Sequence, residues 1–103
     1  MTLDYLDFDY SEDTEGIGVF DAMATVRPQQ LAAVHAEVEQ VLGWALNAFT
    51  GRRGPVEEGG EWDYDLQEML EDAAGSPRHT VTLSISGTEP FCAALREAFD
   101  LPG

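Results

Sequence analysis

Lysine is absent from this 103-residue sequence, and the five basic residues are all arginine, against 20 acidic residues. The resulting formal charge of −15 at neutral pH repels phosphate backbones and anionic lipid headgroups. We therefore expect no nucleic-acid binding and no attachment to a membrane surface, and we expect a protein partner, if there is one, to be basic. The alternative is that the acidic residues only keep the protein soluble.

Cysteine and long apolar runs are also scarce. Cys92 is the only cysteine, which excludes an intramolecular disulfide and a metal site built from several cysteines. No apolar run approaches the ~20 residues that cross a bilayer. The first residues, MTLDYLDFDYSED, have neither the positive charge nor the apolar run of a signal peptide. We expect a cytoplasmic protein with a reduced thiol and no membrane partner.

Motifs for cofactor, metal or nucleophile chemistry are missing as well. The sequence contains no P-loop, no G-x-G-x-x-G and no G-x-S-x-G. The acidic turn SEDTEG lacks the spacing of a calcium-binding loop. We therefore predict no cofactor, no metal site and no catalytic residues, and no motif carries a resemblance to a known family.

The sequence does contain a strong amphipathic segment from Pro28 to Phe49. Its apolar residues recur with the i, i+3, i+4, i+7 spacing of one helical face, as Leu31, Val34, Val38 and Val41 illustrate. With 44% hydrophobic residues, a chain of this length buries a core without disulfides or metals. The pattern predicts one domain over 1–103, packed on a central helix.

Four segments have the period-two alternation or apolar content of strands, and we predict strands over 2–10, 17–26, 61–68 and 79–86. Polar SEDTEG between the first two strands predicts an antiparallel hairpin. The glycine-rich stretch from Thr50 to Glu61 predicts a loop. Residues 66–74 fit a strand or a helix, and the alternative stays open. A final helix is predicted from Glu89, with Thr88 as N-cap.

The predicted order is ββαββα. Two helices and four mostly antiparallel strands indicate an α+β two-layer sandwich in which both helices cover one face of the sheet. The strand order is not fixed by the sequence.

The uncovered sheet face is the predicted interaction surface. If the helices cover one face, alternation places carboxylates from three strands beside several apolar residues on the other. An apolar patch with an acidic border is typical of a contact with a protein partner or with a second copy of the chain. The predicted partner-binding residues are Asp7, Asp9, Ile17, Val19, Asp21, Met23, Asp63 and Asp65.

A small enzyme or ligand-binding protein is the alternative function. It would use carboxylates together with His79 or Cys92. A Cys92–histidine pair would also make a nucleophile with its base. Against this, Cys92 falls in the first turn of an amphipathic helix, where a small buried side chain is the commoner role. His35 is expected on the polar, solvated side of the central helix.

Overall fold

The computed structural model describes residues 3–54, 58–73 and 75–101. The elements in order are β1 (Phe8–Glu12), β2 (Gly18–Val26), α1 (Leu31–Ala48), β3 (Trp62–Ala73), β4 (Ser76–Gly87) and α2 (Glu89–Phe99). The strands form one sheet in the order β1-β2-β4-β3, with every neighbouring pair antiparallel. The predicted α+β class, with four antiparallel strands and two helices, is confirmed. Within the described ranges, neither helix has the length and apolarity needed to cross a membrane.

The hydrophobic core is built on β4, which has a strand neighbour on each side. Val81, Leu83 and Ile85 alternate along β4 and are fully buried, at 0% exposure each. Residues of β2 and of both helices belong to the same buried cluster, among them Phe20, Ala22, Val34, Val38, Phe91 and Leu95. Trp62, at the start of β3, is also fully buried and stacks on Phe91 of α2, with ring centroids 5.5 Å apart. One face of the sheet therefore supplies the core.

The first strand lies further along the chain than predicted. Instead of 2–10, β1 covers Phe8–Glu12 and pairs with β2 from Phe8 opposite Ala22 to Glu12 opposite Gly18. The segment before β1 is held by α1: the Glu37 carboxylate accepts backbone N–H bonds from residues 4, 5 and 6 at 2.8–3.0 Å. Its backbone donors therefore bond to a helix side chain rather than to β2.

The ambiguous stretch 66–74 is extended, so its helical alternative is wrong for the residues described. β3 continues to Ala73 and pairs with β4 along its whole length, from Trp62 opposite Gly87 to Ala73 opposite Ser76. β4 accordingly begins at Ser76, earlier than the predicted residue 79. Residue 2 of the first predicted strand, residues 55–57 of the predicted loop and residue 74 lie outside the described residues.

The two helices agree closely with the sequence pattern. A short 3-10 turn, Pro28–Gln30, precedes α1. Proline is favourable at this position, because the first backbone N–H groups of a helix have no intrahelical acceptor and its missing N–H costs no hydrogen bond. α2 begins directly after Thr88 and ends at Phe99, where Asp100 adopts a left-handed conformation with φ 54°. Val34, Val38, Val41 and Ala45 form the buried face of α1.

The packing of α1 predicts unequal effects of two truncations on this helix. Val38 is 4% exposed and belongs to the core cluster, whereas Leu46 is 52% exposed. Val38→Ala leaves a cavity, and we expect it to lower the free energy of unfolding by about 1–3 kcal/mol. Leu46→Ala, which removes a larger side chain, should cost less. Urea denaturation of both variants checks this, and a larger loss for Leu46→Ala would contradict the packing.

Candidate functional site

The candidate site is the face of the sheet that points away from the core, here called the open face. Its side chains alternate with the core residues along each strand. Its members on the two central strands are Val19, Asp21, Met23 and Thr25 of β2 and Arg78, Thr80, Thr82, Ser84 and Ser86 of β4. The outer strands add Asp9 and Ser11 of β1 and Asp63, Asp65, Gln67 and Met69 of β3. None of these side chains is buried.

One row of residues crosses all four strands of the open face. Asp9 lies opposite Asp21, Asp21 opposite Ser84, and Ser84 opposite Asp65. Neighbouring strands are ~4.8 Å apart, so this row places three carboxylates within roughly 15 Å. We call these four residues the carboxylate row. The Ser84 hydroxyl donates a hydrogen bond to Asp21, which gives one of the carboxylates a neutral partner.

Shallow depressions lie on both sides of the carboxylate row. One is lined by Asp7, Asp9, Asp21, Met23 and Thr82. A second is lined by Val19, Asp63, Tyr64, Asp65, Ser84 and Ser86. The two depressions together contain most of the residues predicted from alternation, and each includes residues of both central strands.

Two of the predicted residues lie outside the strands. Asp7 precedes β1, although it lines the same depression as Met23. Ile17 lies in the turn before β2, where its N–H donates to the Asp13 carboxylate at 2.9 Å and its carbonyl accepts from the Asp13 N–H at 3.0 Å. The expected strand positions of Asp7 and Ile17 are therefore wrong, because the β1–β2 pairing covers only Phe8–Glu12 and Gly18–Val26.

A third depression was missed by sequence reasoning. Met23 is 63% exposed and Met69 is 60% exposed, and both line a depression of about 410 Å³. Thr25, Thr80, Thr82 and residues of β3 complete it, and the hydroxyls of Thr25 and Thr80 are 3.0 Å apart. The signal was present in the alternation that runs on from Asp63 and Asp65 to Gln67 and Met69. Met69 could not be assigned to the open face from the sequence, because residues 66–74 also fitted a helix.

Positive charge lies near the ends of this surface, where Arg78 of β4 is opposite Glu71 of β3. Arg53 forms an ion pair with Asp63 at 3.1 Å, and its guanidinium lies 4.5 Å from the Tyr64 ring centroid. Within the described ranges, no arginine or histidine forms an ion pair with Asp9, Asp21 or Asp65. The open face therefore carries uncompensated negative charge along the carboxylate row.

Two groups named for the alternative enzymatic function, His79 and Cys92, lie far apart. His79 lies opposite Val26, and Cys92 donates to the carbonyl of Gly87, with Sγ 3.4 Å from the oxygen. Positions 79 and 87 are eight residues apart along β4, which corresponds to roughly 26 Å. His79 and Cys92 therefore cannot act as a nucleophile and its base. His35, expected on the solvated side of the central helix, has a side chain that is 42% exposed and contacts the Glu68 carboxylate of β3.

Cys92 has the environment of a packing residue. It is 1% exposed, and a Cβ placed on Gly18 would lie 2.6 Å from its sulfur, so the thiol occupies the space that this glycine leaves. Burial raises the pKa of the Cys92 thiol above its ordinary value, and the nearby charge of Arg96 opposes this only in part. The thiol is therefore protonated at neutral pH and is a poor nucleophile.

Metal-binding geometry is not found in the part of the chain that the structure describes. Among residues 3–54, 58–73 and 75–101, no group of three or more histidine, cysteine, aspartate or glutamate side chains is arranged to hold a metal ion. Asp9, Asp21 and Asp65 are spread along the carboxylate row rather than gathered at one point.

The carboxylate row predicts that neutralising one of its members stabilises the fold. Asp9 and Asp21 are directly opposed, and like charges across a strand pair repel. We expect Asp9→Asn to raise the free energy of unfolding by about 0.5 kcal/mol at low ionic strength. The gain should shrink as NaCl screens the charges. Glu39→Gln, an exposed position on α1, is the control. Equal gains in both variants would point to net charge alone rather than to the row.

The burial of Cys92 predicts slow alkylation. Iodoacetamide reacts with an accessible thiolate, whereas this thiol is buried and protonated. The rate measured by mass spectrometry at neutral pH should be at least about tenfold lower in buffer than in denaturing urea. A rate in buffer equal to the rate in urea would show that Cys92 is accessible and reactive.

The comparisons with known proteins place the chain in no family. No protein-family model, no curated protein and no solved structure matches it. Its function is therefore inferred from the geometry and the charge of the open face.

Proposed function

We propose that this protein is a non-enzymatic binding module whose open face contacts a basic protein partner. The observation that carries the proposal is the carboxylate row, which crosses all four strands and has no arginine paired with its acids in the described part of the chain. A surface of this kind attracts a basic partner over long range and accelerates encounter.

The proposal takes the fold to be a two-layer sandwich, with both helices on one face of the sheet. Support comes from the single core cluster, to which α1, α2 and one side of the strands all contribute. It also comes from the other side, where no open-face residue is buried. An antiparallel sheet tolerates one solvated face, and that face is then free for a partner.

Apolar contacts would supply much of the affinity. Met23 and Met69 are more than half exposed and line one depression beside the carboxylate row. Methionine is flexible and adapts to differently shaped partner side chains. Large exposed apolar side chains surrounded by polar ones are typical of interaction surfaces. Asp7, Asp9, Asp21 and Asp65 would border this centre, while Val19 and Asp63 would contact the partner from the depression on the other side of the carboxylate row, next to Ile17.

A second copy of the chain is a poorer occupant of the open face. Two open faces brought together would oppose two carboxylate rows, and like charges that lose water repel strongly. A basic partner places cations opposite the same carboxylates. The low positive charge of the chain, with five arginines against 20 acids, leaves it few cations of its own for this purpose.

The proposal predicts that binding depends on the open face and not on net charge. The test variant combines Asp9→Asn, Asp21→Asn and Asp65→Asn, and the matched control combines Glu15→Gln, Glu39→Gln and Glu97→Gln. Each removes three charges, and the control positions are exposed in the hairpin turn and on the helices. Proteins retained by each variant from native-cell extract are quantified by mass spectrometry. Binding of the retained partner is then measured by calorimetry.

We expect the test variant to lose the partner, with affinity reduced at least about tenfold, while the control stays within about threefold of wild type. Equal losses in both variants would mean that net charge alone drives retention, and would contradict the proposal. Sedimentation tests self-association separately. A monomer agrees with a foreign partner, whereas a dimer that Val19→Asp dissociates would replace it with a second copy.

A further inference from the structure

The outer edge of β3 leaves backbone groups unpaired. β3 is the last strand of the sheet; among the described strands it pairs with β4, and its first residue, Trp62, also forms an isolated parallel bridge with Arg53. At its beginning, the Trp62 carbonyl accepts from the Gly54 N–H at 2.8 Å, and the Tyr64 N–H donates to the Asp63 carboxylate at 2.9 Å. These bonds show that even-numbered residues of β3 direct their N–H and C=O groups away from β4.

The same direction recurs at every second residue of a strand. Leu66, Glu68 and Leu70 therefore present successive N–H and C=O pairs to the free edge, and none of these backbone groups has a partner within the described ranges. Such an edge is a template on which another extended segment can pair.

Apolar side chains flank this edge on both sides of the sheet. Leu66 and Leu70 are 39% and 63% exposed on the side that bears the core, and Met69 is 60% exposed on the open face. An added strand would cover these side chains while its backbone filled the ladder. Alternate side chains of that strand would contact the two sides in turn.

The charge of β3 indicates which kind of strand can pair with its free edge. Five of the twelve residues of β3 are acidic and none is basic, namely Asp63, Asp65, Glu68, Glu71 and Asp72. Pairing β3 with β3 of a second copy would place two such strands side by side, and opposed like charges destabilise a strand pair. A strand that alternates basic and apolar residues would place cations near the carboxylates of β3 and apolar side chains against the exposed apolar side chains of β3.

We propose that the free edge of β3 from Leu66 to Leu70 is a strand-addition site for an extended basic segment of a protein partner. This inference rests on the proposed function, because the bound segment belongs to the same basic partner. The edge adjoins the open face through Asp65 and Met69, so one partner can add a strand and also cover the carboxylate row.

The probe is a short end-capped peptide of alternating valine and lysine. Two control peptides accompany it: the same sequence with N-methylated amides on alternate residues, which keeps the charge but blocks the ladder, and a valine–glutamate peptide. Binding is followed by amide chemical shifts and hydrogen exchange of isotopically labelled protein. We expect protection of the Leu66, Glu68 and Leu70 amides, at least about tenfold weaker binding of the N-methylated peptide, and no binding of the acidic peptide.

Protein variants test the same ladder from the other side. Leu70→Pro removes an edge-facing N–H that β4 does not use, whereas Leu70→Ala removes the same side chain and keeps the N–H. We expect Leu70→Pro to bind the peptide at least about fivefold more weakly than Leu70→Ala. Equal affinities of these variants, provided that both remain folded, would overturn the inference. If Leu70→Pro fails to fold, the N-methylated peptide decides.

The outcomes separate this inference from the proposed function. Strand addition is overturned if the peptide shifts the amide resonances of Asp9 and Asp21 but leaves the edge amides unprotected. It is also overturned if N-methylation does not weaken binding. Either result leaves the open face as the binding surface. Protected edge amides together with partner retention by the Asp9, Asp21 and Asp65 triple variant support strand addition and overturn the open face. If the edge amides become more protected from hydrogen exchange as the protein concentration rises, with no peptide present, the edge pairs with a second copy of the chain and the inference is overturned.

Discussion

The register of β4 against its two neighbours is the constraint on which the rest of the structure depends. Val81, Leu83 and Ile85 are fully buried, so β4 is fixed in orientation by the core. A slip of one residue would turn these side chains to solvent and bury the hydroxyl residues between them. β2 and β3 pair with β4, so the same register decides which of their residues join the core and which lie on the open face.

The distribution of charge follows from this register. Asp21 and Asp65 lie on the open face because they oppose Ser84, which alternates with the buried residues of β4. Asp9 joins them through its pairing with Asp21. The repulsion within this row opposes folding, and burial of the β4 side chains outweighs it. The alignment of Asp9, Asp21 and Asp65 in one row of the open face is thus a consequence of how the core is packed.

Segments whose residue pattern fits one type of secondary structure were predicted correctly, whereas a segment whose pattern fits two types was not. The apolar stripe from Leu31 to Ala45 and the alternation from Val81 to Ile85 each fit one periodicity, and α1 and β4 appear there. Leu66, Met69 and Leu70 fit either a helical stripe or a strand, and pairing with β4 selects the strand. The segment before β1 bonds to the Glu37 carboxylate, which is more than thirty positions away along the chain, and no local pattern predicts that contact.

Local patterns in the sequence predicted the α+β class, the central helix and the alternating faces of β2 and β4, and they favoured a buried Cys92, because periodicity is a local property of the chain. The strand order β1-β2-β4-β3 was decided only by the tertiary structure. That order brings Asp9, Asp21 and Asp65 into one row, exposes Met69 beside Met23, and leaves the edge of β3 unpaired. Contacts between strands join residues far apart along the chain, and their energies do not appear in any local pattern.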